Sequence, residues 1–471
     1  MAAAHQQYLA FDLGAESGRG ILGRFDGQRL TLEEVGRFAT GQGDGDIGPD
    51  GVRRWDIARI GGEIESLLAR AQAQAGTLHG VGVDSWGVDF GLLDAGGNPL
   101  EAPVHYRDDR HPIAMQEVHE SIPAAEIWDA TGVQFMPFNT LYQLHAAQAR
   151  APGLLDRAAH LLMIPDLLHN QLTQGRSLFN EITNASTTQI VNPKTRQWDS
   201  ALLTRLGLPS HFLGEIVPAG SRIGTTASGV PVYAPGTHDT ASAVAATPAE
   251  PGTRWAFLSS GTWSLLGVEL PEPNLSREAL ALGFSNELGV GNTVRFLQNI
   301  MGLWLVQECR RSLTRSEGRE YSYGELAALA EAAPTGGPVV DATAHRFLAP
   351  PDMADEIRAA CRESGQTAPD DIGALIRCCL DSLAAAYRIA LEGLEGLLPT
   401  KFDALHIVGG GSQNRLLNQL TATACGIPVI AGPAEATAVG NVLAQLVASG
   451  AVTDWAQARQ VARQSFPTER F

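Results

Sequence analysis

The 471-residue chain is 44% apolar and 18% charged, a balance that suits packed globular domains and excludes a disordered or fibrous polymer. Its formal charge of −17 leaves no basic face for a phosphate backbone, so nucleic acid is not an expected partner. The length exceeds one ordinary core, and two domains of roughly 200 residues each are expected.

No run approaches the ~18 continuous apolar residues of a membrane span. The opening "MAAAHQQYLAFD" lacks the basic segment of a secretory signal. Five cysteines (Cys309, Cys361, Cys378, Cys379 and Cys425), with no C-x-x-C pair, read as reduced buried thiols. Together these features lead us to expect a cytoplasmic protein.

The first elements lie in "YLAFDLGAESGRGILGRF", residues 8–25, where two apolar strands flank a small-residue turn. Strands are expected at 8–13, 20–25 and 30–38. Gly14 and Gly18 are read as permitting positive φ, so that backbone N–H groups converge on an anion. Ser17 adds a donor, Arg19 can reach a phosphate, and Asp12 at the strand end suits Mg²⁺, which takes few carboxylates and keeps several waters. Glu16 would repel phosphate and is expected to point outward. Alone, the turn reads first as a structural hairpin with surface charges.

A helix follows from Asp56 to about Ala75, with Ile57, Ile60, Ile64, Leu67 and Leu68 on one face. "GVGVDSWGVDFGLLD" then gives two short strands and offers Trp86, Gly87, Asp89 and Phe90 to a sugar pocket, where aromatic faces meet C–H surfaces and carboxylates meet hydroxyls. Residues 112–175 read as mostly helical. In "VPVYAPGTHDTASAVAA", residues 230–246, a strand ends in Pro-Gly and Asp239 stands at the start of an alanine-rich helix. A helix N-terminus favours the ionised carboxylate, which would make Asp239 a charged base. The competing reading is that Asp239 or Thr240 caps the helix.

"ATPAEPGTR" at 246–254 reads as a linker, dividing the chain into domains 1–246 and 247–471. After it, "WAFLSSGTWSLLGVEL" repeats the strand, small-residue turn, strand pattern of the opening. Two halves that begin alike suggest two similarly built α/β domains. Asn299 and Gln307 in "LQNIMGLWLVQE" are eight apart and would share a face if that segment is helical, while Trp304 reads as core. Near the end, Gly409 to Gly411 separate a buried strand from a helix beginning at about Asn414, whose apolar face is Leu416, Leu417, Leu420 and Ala424.

Taken together, "FDLGAESGR", "GVDSWGVDFGLLD", "PFNTLYQL", "HDTASAV", "LSSGTWSLLG", "NIMGLW" and "LHIVGGGSQNRLLNQL" closely resemble sugar kinases of the FGGY carbohydrate kinase family, over nearly the whole chain and in the same order. The resemblance is to those members that act on L-rhamnulose. It implies a two-domain α/β fold of the sugar kinase/actin/heat-shock ATPase type with an interdomain active-site cleft and hinge closure. It implies transfer of the γ-phosphoryl group of MgATP to the 1-hydroxyl of L-rhamnulose. Carried over by position, it implies that Ala15, Glu16, Ser17, Gly18, Arg19, Thr262, Gln307 and Gly411 bind ATP. It likewise places Gly87, His238, Asp239, Thr240 and Asn299 at the sugar, with Asp239 as base and Asp12 at the metal. Glu16 departs from the small residue common in related kinases. The alternatives are a kinase of L-fuculose or xylulose, or an ATP- and sugar-binding protein without catalysis.

Overall fold

The computed structural model describes residues 5–41, 47, 48 and 50–471. The chain forms two compact units that are interleaved in sequence. The first comprises Met1–Pro248, Glu269–Phe296 and Ala436–Ser465, and the second Ala249–Val268, Leu297–Glu435 and Phe466–Phe471. The expected division at 246/247 thus describes only the first passage of the chain, which afterwards returns to the first unit twice. Of the expected linker, residues 246–249 are buried and 250–254 exposed.

The first unit is built on six strands: β1 (Gln6–Leu13), β2 (Ser17–Phe25), β3 (Leu30–Ala39), β4 (Gly80–Ser85), β5 (Ser221–Thr225) and β6 (Pro231–Ala234), in the order β5-β6-β4-β1-β2-β3. β1 runs antiparallel to β2 and parallel to β4, which is parallel to β6. A central strand covered on both faces must be apolar throughout, and Tyr8, Leu9, Ala10, Phe11 and Leu13 are all fully buried. The helix Ile57–Ala75 packs Ile60, Ile64, Leu67, Leu68 and Ala71 against this sheet, and the Asp56 side chain caps it by accepting from the Arg59 amide. The 112–175 region is helical, except that strand His160–Met163 pairs antiparallel with Phe90–Leu93.

The second unit takes in β7 (Trp255–Ser260), most of β8 (Trp263–Leu270), the part of β9 (Val294–Met301) from Leu297 onward, β10 (Ala404–Val408), β11 (Val429–Ala431) and β12 (Glu469–Arg470). Their order is β9-β8-β7-β10-β11-β12. β7 runs antiparallel to β8 and parallel to β10, and β10 is parallel to β11. Each unit therefore opens with a hairpin whose first strand takes a later parallel strand on its other side. The repeated hairpin in the sequence marks this common plan.

Some expected details differ. Asn299 lies on β9 and Gln307 on the helix Trp304–Glu317, so one helix does not carry both. The helix after Gly411 runs Arg415–Cys425 and buries Leu417, Asn418 and Thr421, a face turned from the expected leucine stripe. Trp304 is half-buried, its indole N–H donating to the Phe347 carbonyl at 3.1 Å. All five cysteines are free, four of them buried. Among the described residues no helix is long and apolar enough to cross a membrane.

Candidate active site

In the first unit, functional candidates gather where parallel strands end, the edge at which α/β sheets expose backbone and side chains to ligands. Asp12 closes β1, and the strand register sets it opposite Arg19 of β2 and beside Asp84 of β4. Asp12 and Arg19 form an ion pair at 2.5 Å. The two charges expected to serve a metal and a phosphate separately are thus each other's partner. Asp84, which the sequence reading did not select, is fully buried. Its Oδ2 accepts from Asn441 at 2.6 Å, and its Oδ1 has no hydrogen-bond partner among the described residues. Burial first, and then the neighbouring charge of Asp12, hold the Asp84 carboxyl well above the usual carboxylate range.

In the turn between β1 and β2 the glycines do not take the conformation expected of them. Neither Gly14 nor Gly18 has positive φ. Gly14 donates its N–H to the Ser17 carbonyl at 3.0 Å, closing the turn. Thr40 ties down the opposite wall, donating through Oγ1 to the Gly14 carbonyl and through its amide to the Glu16 carbonyl. Gly18 is required by space, since a Cβ there would lie 2.6 Å from both Leu13 Cδ2 and Phe38 Cζ. Ala15, Ser17 and Arg19 are half-buried at this turn, and Glu16 is exposed, as its charge led us to expect.

The third strand-end segment is the loop after β6. A β-bridge joins Ser85 to His238, and the Ser85 amide donates to the Thr237 carbonyl at 2.9 Å. His238 occupies the N-cap position of the short helix Asp239–Ala245, so neither Asp239 nor Thr240 caps it. Asp239 Oδ1 instead accepts from the Thr240 amide at 2.5 Å and lies 3.5 Å from His238 Nε2. Its side chain is 31% exposed, so it is the accessible member of the Asp12, Asp84 and Asp239 group. Burial raises its pKa, opposed by His238 and reinforced by the charge of Asp12. The net effect is to make the carboxylate more basic.

Behind His238 stands a charged group with no sequence signature. The Arg295 guanidinium lies 3.2 Å from His238 Nδ1 and 3.2 Å from Glu287 Oε2, and both Arg295 and Glu287 are buried. Gly87 faces Thr187, whose Oγ1 would be 2.9 Å from any added Cβ and accepts from the Val88 amide at 3.0 Å. Val88 itself has φ of 68°, a strained conformation for a β-branched residue.

Asp89 does not enter a sugar pocket. It is fully buried and accepts from the Trp55 and Trp86 indoles, the Gln143 amide group and the Tyr106 backbone. Trp86 and Phe90 are buried with it. These residues support the 84–88 loop.

The second unit brings together its own set. The Gly261 amide closes the β7–β8 turn onto the Trp263 carbonyl at 2.9 Å. The Thr262 carbonyl accepts from the amides of Gly302 and Trp304, at 3.2 and 3.1 Å, which fixes the start of the Gln307 helix against the turn. The 409–411 turn lies against the same place. Gly409 has φ of 85°, and a Cβ on Gly411 would sit 2.0 Å from Ser260 Oγ. Thr262, Gln307 and Gly411 thus converge through backbone contacts, with Gln307 Oε1 buried and lacking a hydrogen-bond partner among the described residues. Asn299 is half-buried on β9.

Residues 7–243 match the N-terminal domain of the FGGY family of carbohydrate kinases, and residues 256–449 its C-terminal domain. The chain is 42% identical to a rhamnulokinase of Enterococcus faecalis over 98% of its own length and 93% of the relative's. It is 40% identical to a rhamnulokinase of Bacteroides thetaiotaomicron over 99% and 96%. Among solved structures, a xylulose kinase of Lactobacillus acidophilus aligns with a TM-score of 0.76 at 15% identity, covering 98% of this chain and 93% of the other. Glycerol kinase of Plasmodium falciparum aligns at 0.77 and 16% identity, covering 98% and 94%. Sequence similarity along both halves and a shared two-domain fold lead to one conclusion: the chain belongs to the FGGY family of carbohydrate kinases.

Proposed function

We propose that this kinase transfers the γ-phosphoryl group of MgATP to the 1-hydroxyl of L-rhamnulose, giving L-rhamnulose 1-phosphate and ADP in the cytoplasm. The observation that carries the substrate is identity of 40–43% to rhamnulokinases over nearly the full length of both partners. In this reading Gly87, His238, Asp239, Thr240 and Asn299 bind the sugar. The 15–19 turn faces the ATP phosphates, and Thr262, Gln307 and Gly411 serve the nucleotide.

Phosphoryl transfer to an alcohol needs a proton acceptor and charge neutralisation more than covalent catalysis. Asp239 Oδ takes the O1 proton as the O1–P bond forms and the bond from γ-phosphorus to the bridging oxygen breaks, releasing ADP. Its partial exposure and raised basicity support that role, because a base works best with a pKa closer to ambient pH. Arg19, paired with Asp12, shares its charge with a phosphate in this reading.

The residues at the strand ends suit Mg²⁺. Among the described residues no trio of metal-binding side chains gathers, but this ion takes one or two carboxylates together with phosphate oxygens and water. Asp12 would hold it, with the partnerless Oδ1 of neighbouring Asp84 as the second oxygen donor. When bound, the ion offsets negative charge on the phosphates.

Asp239→Asn is expected to lower kcat by on the order of 10³ while sugar binding is retained. Near-normal turnover would remove Asp239 as base. ADP release measured over L-rhamnulose, L-fuculose, D- and L-xylulose, L-ribulose and glycerol tests the substrate. A higher kcat/KM on any of the others would overturn the assignment.

A further inference from the structure

We propose that Arg295 is a positioning residue that holds His238 as the neutral tautomer protonated on Nε2, with that proton directed at Asp239. The inference rests on the reading of Asp239 as the base.

Every guanidinium nitrogen is a donor and the group stays charged, so Arg295 can approach a ring nitrogen closely only where that nitrogen offers a lone pair. Arg295 Nη2 lies 3.2 Å from His238 Nδ1. A proton on Nδ1 would set N–H against N–H, and an imidazolium against a guanidinium whose side chain is 1% exposed. Nδ1 is therefore the acceptor, and the neutral ring carries its proton on Nε2, which lies 3.5 Å from Asp239 Oδ1.

Arg295 has little freedom to move away. Its Nε donates to the Leu288 carbonyl at 3.3 Å, the Leu288 and Thr183 carbonyls lie 3.2 and 3.4 Å from Nη2 as alternative acceptors for its second hydrogen, and Glu287 Oε2 balances its charge at 3.2 Å. The charged groups facing the His238 ring are Asp239 from its own helix, Glu287 at 3.4 Å from Nδ1, and Arg295. From the remaining neighbouring segment, Thr183 Oγ1 accepts the His238 amide and itself donates to the Glu181 carboxylate. Glu287 alone would favour a proton on Nδ1, and Arg295 is the group that prevents it. The result is a donor on Asp239 without a full positive charge beside it, which orients the carboxylate and leaves it basic.

The test is the side-chain ¹⁵N spectrum of protein labelled at histidine, with His238 assigned by its loss in His238→Gln. In the wild type the Nε2–H tautomer is expected. A proton on Nδ1, or a doubly protonated ring at pH 7.5, would overturn the inference whatever the variants do. Removing both buried charges together, in Arg295→Met with Glu287→Gln, avoids stranding one of them. That variant is expected to lose the tautomer preference and about 10- to 100-fold in kcat, with KM for L-rhamnulose within about threefold. Arg295→Lys, which keeps a cationic donor, should recover the wild-type ring signal and part of kcat. Unchanged kcat and spectrum in the double variant would refute the positioning role. The spectral readout does not involve turnover, so its failure removes this inference alone, whereas a fully active Asp239→Asn removes the base.

Discussion

Among the acids around the candidate site, Glu181 is one whose charge the fold accommodates poorly. It is fully buried, and Thr183 Oγ1, the Thr237 amide and Thr237 Oγ1 all donate to its Oε2, leaving Oε1 with no hydrogen-bond partner among the described residues. Burial outweighs those donors and pushes the carboxyl from 4.5 to about 7. Between those two values the unfolded chain has released a proton that the native protein still holds. Stability from this group is therefore complete below about pH 4.5 and falls as pH rises through 7. The full loss is on the order of 3 kcal/mol. Glu181→Gln keeps an acceptor for the threonines and removes the charge. Its urea midpoint should match the wild type at pH 4.5 and exceed it at pH 8. An unchanged gap between the two pH values would show that Glu181 is already ionised in the native protein.

The elements divide by how far apart in sequence their determinants lie. Alternating and continuous apolar runs announced both hairpins and the helix Ile57–Ala75, because period and burial are local properties. What the hairpin glycines do was not legible. Gly18 answers to Leu13 and Phe38 in neighbouring strands, and Gly411 to Ser260, 151 positions away in the numbering. The same holds for the site: Asp239 and the turns stood out by type and position, whereas Arg295 meets His238 57 residues away and Asn441 meets Asp84 across 357. The condition that 299–307 be helical throughout is not met, because Gly302 and Trp304 bond back to Thr262, which ends the strand and starts the helix there. The contact between the 409–411 and β7–β8 turns yields a direct prediction. Gly411→Ala would place a Cβ 2.0 Å from Ser260 Oγ and 3.0 Å from its carbonyl oxygen, forcing the turns apart. KM for ATP should rise about tenfold or more while KM for the sugar holds, since misplacement of this size is costly at a binding site. Adding Ser260→Gly removes the Oγ conflict and should restore most of the affinity. If the double variant binds ATP no better than Gly411→Ala, the two turns do not set each other's position.

At the scale of the whole molecule, the family division into halves at 7–243 and 256–449 does not coincide with what packs together. The helix Ala436–Ala448, late in the chain, belongs to the first unit and buries ten of its residues there, from Ala436 to Leu446. Its Gly440 lies so near the helix Asp239–Ala245 that a Cβ would be 1.8 Å from the Ser242 carbonyl oxygen. Asn441 donates to Asp84, Gln445 to the Leu9 carbonyl at 3.0 Å, and Ser449 just beyond the helix pairs with Tyr8 at 2.7 Å. A chain ending at residue 246 would uncover β1 and β4, strands buried from Tyr8 and from Gly80 onward, and leave the Asp84 carboxyl without the side-chain donor it has among the described residues. Exposed strand faces of this kind aggregate, and a buried polar group without its partner costs about 1–3 kcal/mol. We therefore expect residues 1–246 expressed alone to be insoluble or to unfold without cooperativity. Residues 1–296 should fare no better, because they still lack the helix. Supplying residues 436–465 through a flexible linker to residues 1–296 should recover a protease-resistant core and a cooperative urea transition. A soluble 1–246 fragment with a sharp transition of its own would show that the late helix merely covers a unit that is already stable.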